Sequence, residues 1–202
     1  LPLYDDNPTA RVPVVTYLLI GSCAAVFLWQ LGQNAEDVAY SYGMIPAVLF
    51  GAAELPRNLT AIPPWVTIFT SMFLHAGWLH IGGNMLYLYL FGDNVEDRFG
   101  WLLYLVLYFA CGFAAVYAQV IMAPNSTIPL IGASGAIAGV LGSYLILYPG
   151  VRVRGIFIIG YFARNAEWPA WAVLALWFGL QIFDAVLSYS TSSGDEGGVA
   201  FF

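Results

Sequence analysis

Lysine is absent from this chain of 202 residues, and its positive charge rests on six arginines against twelve acidic residues, a net charge of −6. That balance argues against a nucleic-acid surface, which needs a basic patch. Cysteine is nearly absent too: Cys23 and Cys111 each sit inside an apolar run. A disulfide framework is excluded, and the two thiols read as small buried groups. Histidine occurs twice, as His75 and His80, with no cysteine or carboxylate nearby in that segment. A metal site asks for three or four ligands, so no metal and no other cofactor is expected. Charge of either sign is scarce, at 9% of residues against 60% hydrophobic, with a mean hydropathy of +0.76. Such a composition excludes an ordinary soluble domain and points to an integral membrane protein in contact with a lipid bilayer.

What the chain does have is long apolar runs. Five are long enough to cross a bilayer, which takes about 20 residues each: Val12–Leu31, Val66–Phe91, Trp101–Met122, Leu130–Tyr148 and Trp168–Tyr189. The first connection, 32–64, mixes acidic residues with apolar pieces and reads as a structured loop seated partly in the membrane interface. The second, GDNVEDRFG, reads as a short charged loop in which Glu96 and Arg98 are structural. Residues 150–167 hold three arginines around GIFIIGYF, too short to cross, and are expected to lie along the surface. With the N-terminus inside, Arg11, Arg98, Arg152, Arg154 and Arg164 are cytoplasmic and only Arg57 is outside. That asymmetry sets the orientation, N-terminus cytoplasmic. Trp65, Trp78, Trp101 and Trp168 fall at span ends as interface anchors, and Asp184 reads as a cap or loop anchor.

Polar groups at membrane depth are costly, so the few present are candidate functional residues. His80 and Asn84 are four apart and share a helix face, whereas His75, five before His80, lies around the same helix and is expected to tie down a loop or a neighbouring helix end. Ser134 lies in IGASGAIAGVLG, at the start of the fourth span, where free backbone N–H groups and the positive dipole end would stabilise a developing negative charge. Gly132 and Gly135 allow close backbone approach, and Gly135, Gly139 and Gly142 form a small-residue stripe for helix packing. Singly, each of these is an ordinary packing feature. Jointly, a serine at a helix N-terminus with an imidazole and an amide at the same outer depth makes a nucleophile and an oxyanion pocket. A transporter would need a polar path through the membrane, and the polar residues collect at one depth only.

These motifs resemble the rhomboid family of intramembrane serine proteases. HAGWLHIGGN is similar to the family's second-span motif, YLFGDNVEDRFG to the short loop after it, and IGASGAIAGVLG to its Gly-x-Ser-Gly motif; the resemblance covers nearly the whole chain. It implies an all-α membrane protein, a rhomboid-like helical bundle with five spans present and a sixth expected beyond the chain end. Residues 1–202 would be one rhomboid-like domain, C-terminally incomplete. It implies Ser134 as nucleophile, His80, Asn84 and backbone near Gly132 and Ser134 as the oxyanion pocket, and His75, Gly135, Glu96 and Arg98 as structural. The family's general base is a sixth-span histidine that GGVAFF would precede, so the chain alone is expected to be inactive. Substrates would be single-span membrane proteins cut near the outer face, in a bacterial inner membrane. The alternative is an inactive rhomboid-like subunit that binds partner helices.

Overall fold

The computed structural model describes residues 2–159, 162–192 and 200–201. The chain is mostly helical. A short strand β1 (Pro2–Asp5) precedes α1 (Val14–Gln30), α2 (Ala35–Tyr42), α3 (Pro46–Leu49) and α4 (Pro64–Thr70). A 3-10 turn (Ser71–Phe73) leads to α5 (Trp78–Phe99) and α6 (Trp101–Met122). Strand β2 (Leu130–Ile131), α7 (Ser134–Leu147), a hairpin of β3 (Arg152–Ile159) and β4 (Phe162–Pro169), α8 (Ala170–Ser192) and β5 (Ala200–Phe201) complete the order.

Helix α7 is the central post. Ile137, Val140, Leu141 and Tyr144 are fully buried, and α7 packs against α5, α6 and α8. The glycine stripe explains the closest of these contacts. A Cβ on Gly135 would collide with Ala115, and one on Gly139 with Cys111, both on α6; Gly142 faces open space. Small residues let two helices approach where apolar side chains alone give no advantage over lipid. Gly139→Val is therefore expected to push α6 from α7 at a cost of about 1–3 kcal/mol, with Gly142→Ala near neutral, both read as shifts in thermal midpoint.

The outer faces carry the opposite signature. Leu18, Leu28, Leu103, Ile121, Leu176 and Ile182 are all more than half exposed. Faces this apolar would associate in water, whereas lipid is their natural solvent. Among the described residues one helix, α6, is by itself long and apolar enough to cross a membrane; Val14–Gln30, Ser134–Leu147 and Ala170–Phe183 are apolar but shorter.

Four expectations are corrected. The run 66–91 is not one helix: α4 and the 3-10 turn end at Phe73, Leu74 is extended, and α5 starts after Gly77. Helix α5 then continues through GDNVEDRF to Phe99, so the expected charged loop is helical and Gly100, at φ +78°, makes the turn alone. The left-handed conformation there favours glycine. The fold is also not all-α. Residues 152–159 and 162–169 pair antiparallel, and β1 adds to the edge in the order β1-β3-β4. Alternation in RVRG and AEWP suits a two-faced ribbon, which a single surface segment would not exploit. Trp168 accordingly lies on β4, half-buried against the core, while Trp65, Trp78 and Trp101 are exposed near helix starts. The start of a sixth span near Val199 lies outside the described residues; Ala200 and Phe201 pair in parallel with β2. The side chain of Asp184 lies outside the described residues as well.

Glu96 shows why α5 is extended inward. Helix α1 begins after Pro13 with no side-chain cap of its own. The buried Glu96 carboxylate accepts from Val15 N at 2.9 Å, Thr16 N at 2.8 Å and Thr16 Oγ1 at 2.8 Å. A carboxylate at a helix N-terminus satisfies orphan donors and meets the positive dipole end. Arg98 lies exposed in the last turn of α5, where its charge faces the negative end of the helix dipole, and it makes no ion pair among the described residues.

One turn earlier, α5 holds the N-terminal strand. Asn94 Nδ2 donates to Asp5 Oδ2 at 3.1 Å, Asn7 Nδ2 donates to Asn94 Oδ1, and Tyr144 OH donates to Asp5.

Candidate active site

The site is assembled from the turn before α5, the first half of α5 and the N-terminus of α7. Ser134 is the first residue of α7 and is 3% exposed. No side chain caps α7, so the first-turn N–H groups beginning at Ser134 lack intrahelical and side-chain partners. Asn84 lies on α5, 2% exposed, and His80 one turn earlier is half-buried. Helices α5 and α7 pack directly on one another.

The buried hydrogen-bonding ledger singles out the same residues. Among the described residues, the buried side-chain polar atoms without a partner are His75 Nε2, Asn84 Nδ2, Ser134 Oγ and Tyr108 OH. A buried donor or acceptor left unmade costs about 1–3 kcal/mol, and proteins keep few of them. Three of the four belong to the motifs quoted from the sequence. Tyr108, on α6, is the exception, and nothing in its surroundings explains its unpaired hydroxyl.

His75 differs from its expected position. It is not on the helix of His80 and Asn84 but in the non-helical stretch before Gly77, so the rotation argument does not apply to it. Its ring lies 5.1 Å from that of His80, edge to face at 70°. The backbone around it is clamped by Gln30, the last residue of α1: Gln30 Nε2 donates to His75 O at 3.2 Å and His75 N donates to Gln30 Oε1 at 3.1 Å. Its Nδ1 lies 3.2 Å from Phe73 O. Thus the backbone of His75 ties the turn to a neighbouring helix end, while its ring stands beside that of His80. Gln30 went unnoticed in the sequence; its amide near the end of an apolar span was the available signal. His80 Nδ1 in turn accepts from Ala76 N at 3.4 Å, a long bond closing the turn at the start of α5.

Gly132 has φ +125°, a conformation that favours glycine, and its N–H donates to Ser71 O at 2.8 Å. That donor is committed to shaping the turn, which corrects the expectation that it faces an oxyanion; the N–H groups opening α7 are the backbone donors at hand. Gly135 faces Ala115 on α6, as a packing glycine should. The segment leading into the turn is pinned as well: Leu130 exchanges backbone bonds with Met44, at 2.7 and 3.1 Å, which anchors the first connection to the base of the site. Beside the turn, between α6 and α7, opens an apolar cavity of about 620 Å³ lined by Met72, Gly112, Ala115, Gln119, Gly135 and Ala136 among others. No group of three or more His, Cys, Asp or Glu side chains is placed to hold a metal among the described residues.

Comparison with known proteins agrees with this architecture. A family model described as the Rhomboid domain matches residues 63–201. The chain belongs to the rhomboid family, whose members are integral membrane proteins and include serine proteases. It is 32% identical over 147 residues to "Rhomboid protease GluP" of Bacillus subtilis (strain 168), covering 72% of this chain and 26% of that protein. It is 30% identical over 107 residues to "Rhomboid-like protein 11, chloroplastic" of Arabidopsis thaliana, covering 50% of this chain and 36% of that protein. It is also 30% identical over 105 residues to "Inactive rhomboid protein 1" of Drosophila melanogaster, covering 52% of this chain and 7% of that protein. The chain thus spans about a quarter to a third of the length of the first two relatives.

Proposed function

We propose that the full-length protein is an intramembrane serine endopeptidase that cuts single-span membrane proteins near the outer face. Ser134 is the nucleophile, and His80, Asn84 and the backbone N–H of Ser134 hold the oxyanion. The observation that carries this reading is the pair of buried unpartnered groups, Asn84 Nδ2 and Ser134 Oγ, on two helices in contact. Preorganised donors held without a ground-state partner cost stability and are worth it only where charge later develops. The resemblance to the family implies a histidine as the general base.

Helix length supports the depth of the site. At 14 residues, α7 is about 21 Å long, short of a hydrocarbon core of about 30 Å, which supports a Ser134 below the membrane surface at the outer end of the helix. The arginine asymmetry supports a cytoplasmic N-terminus with this end of α7 outside, in a bacterial inner membrane. A substrate helix must unwind to present a carbonyl there, which favours Gly or Pro near the cut. The test is incubation of full-length protein with a single-span reporter carrying such residues in its outer third, with the cut mapped by mass spectrometry. Cleavage inside the outer third is expected; no cleavage, or cleavage only in an exposed loop, overturns the proposal.

A second reading is an inactive subunit that holds partner helices. The cavity between α6 and α7 favours it, since its small-residue walls suit the close approach of another helix. A reporter that co-purifies uncut with the full-length protein would favour it.

A further inference from the structure

At the cytoplasmic end of α1, away from Ser134, a second cavity of about 380 Å³ opens between the start of α1 and the α5–α6 turn. Its walls include Val12, Leu18 and Trp101, all more than half exposed, and its rim carries Arg11 and Asp97. We propose that this cavity binds the headgroup of a zwitterionic aminophospholipid, with the phosphate on Arg11 and the primary ammonium on Asp97. The inference rests on the membrane orientation proposed above.

The charges carry the choice of ligand. Arg11 is exposed and makes no ion pair among the described residues, although it shares the cavity with two carboxylates. Glu96 is occupied by three donors from α1. Asp97 accepts from Ala10 N at 3.0 Å through Oδ2, which leaves its other oxygen able to accept. The cavity therefore offers one unpaired cation and one carboxylate with spare capacity. A phosphate flanked by an ammonium answers both. An anionic headgroup would satisfy Arg11 and be repelled by Asp97, and a quaternary choline has no N–H to donate. The apolar wall suits the glycerol end and first methylenes of a lipid, and Trp101 is placed as an indole at the headgroup level.

The experiment uses the full chain, delipidated in detergent and titrated in separate arms with phosphatidylethanolamine, phosphatidylcholine and phosphatidylglycerol, with bound lipid counted by native mass spectrometry. Phosphatidylethanolamine is expected to be retained about fivefold better than either other lipid, the worth of one partly solvated charge-assisted bond. Asp97→Asn should erase the preference over phosphatidylcholine while keeping overall lipid binding, and Arg11→Gln should weaken retention of all three. Equal retention of the three lipids, or a phosphatidylglycerol preference, overturns the proposal, as does an unchanged preference in Asp97→Asn. Circular dichroism of each variant confirms that the helices persist. A chain that fails to enter bilayers at all would instead count against the membrane orientation on which the inference rests.

Discussion

Ser134→Ala in the full-length protein is expected to abolish intramembrane cleavage, lowering kcat/KM by roughly 10⁵-fold or to background, while leaving the thermal midpoint unchanged or higher. The two halves of that expectation come from one observation. Ser134 Oγ is buried and makes no hydrogen bond, so removing it forfeits no native contact and relieves a desolvated polar atom. Asn84→Ala should behave alike on a smaller scale, with a loss of about 10²–10³-fold in kcat for one oxyanion donor and little cost in stability. His80→Ala should lose a similar factor, with some stability lost through its bond from Ala76. A merely structural role for Ser134 or Asn84 predicts the reverse pattern, in which the fold weakens and any residual activity follows it. The measurement is a pair of assays on each variant, reporter cleavage and thermal denaturation in detergent.

The largest effect on folding is expected from Glu96→Ala, which removes the acceptor of three hydrogen bonds and strands the buried Val15 and Thr16 N–H groups. A loss of about 2–4 kcal/mol follows from orphaned donors and the missing cap together. Glu96→Gln keeps one carbonyl oxygen and should recover part of it. Thr16→Val touches only the hydroxyl, which donates to Glu96 and accepts from Tyr104 OH at 3.1 Å, and should cost about 1 kcal/mol. Denaturation of the three variants orders them Ala, Gln, Val from least to most stable. If Glu96→Ala and Thr16→Val cost the same, the carboxylate is not the cap of α1.

The motifs were legible because chemistry stands out in so apolar a chain. His80, Asn84 and Ser134 stand out by their joint occurrence at one depth, and a shared helix face for His80 and Asn84 follows from spacing. The break at residues 74–77 was hidden because LHAG is as apolar as its neighbours; only Gly77 hinted at it, and the Gln30 clamp that holds the turn comes from 45 positions away. The charged run after Phe91 read as a loop because charge is expected outside a span. Its residues stay helical since their partners, α1 and β1, reach them from the N-terminus. The pairing of 152–159 with 162–169 is obscured by the aromatic and aliphatic residues of GIFIIGYF, which suit an interfacial helix or a strand equally. The resemblance implies an oxyanion role for backbone near Gly132, but the Gly132 N–H is taken by Ser71 O, an acceptor outside the motif.

The central claim is that Ser134 is an activated nucleophile beside preorganised donors. It is tested most directly by treating the full-length protein in membranes with a serine-reactive fluorophosphonate and mapping the adduct by peptide mass spectrometry. A single adduct on Ser134, lost in Ser134→Ala and slowed in Asn84→Ala, is the predicted result. An unlabelled Ser134, in protein whose reporter is nonetheless cut, would contradict it.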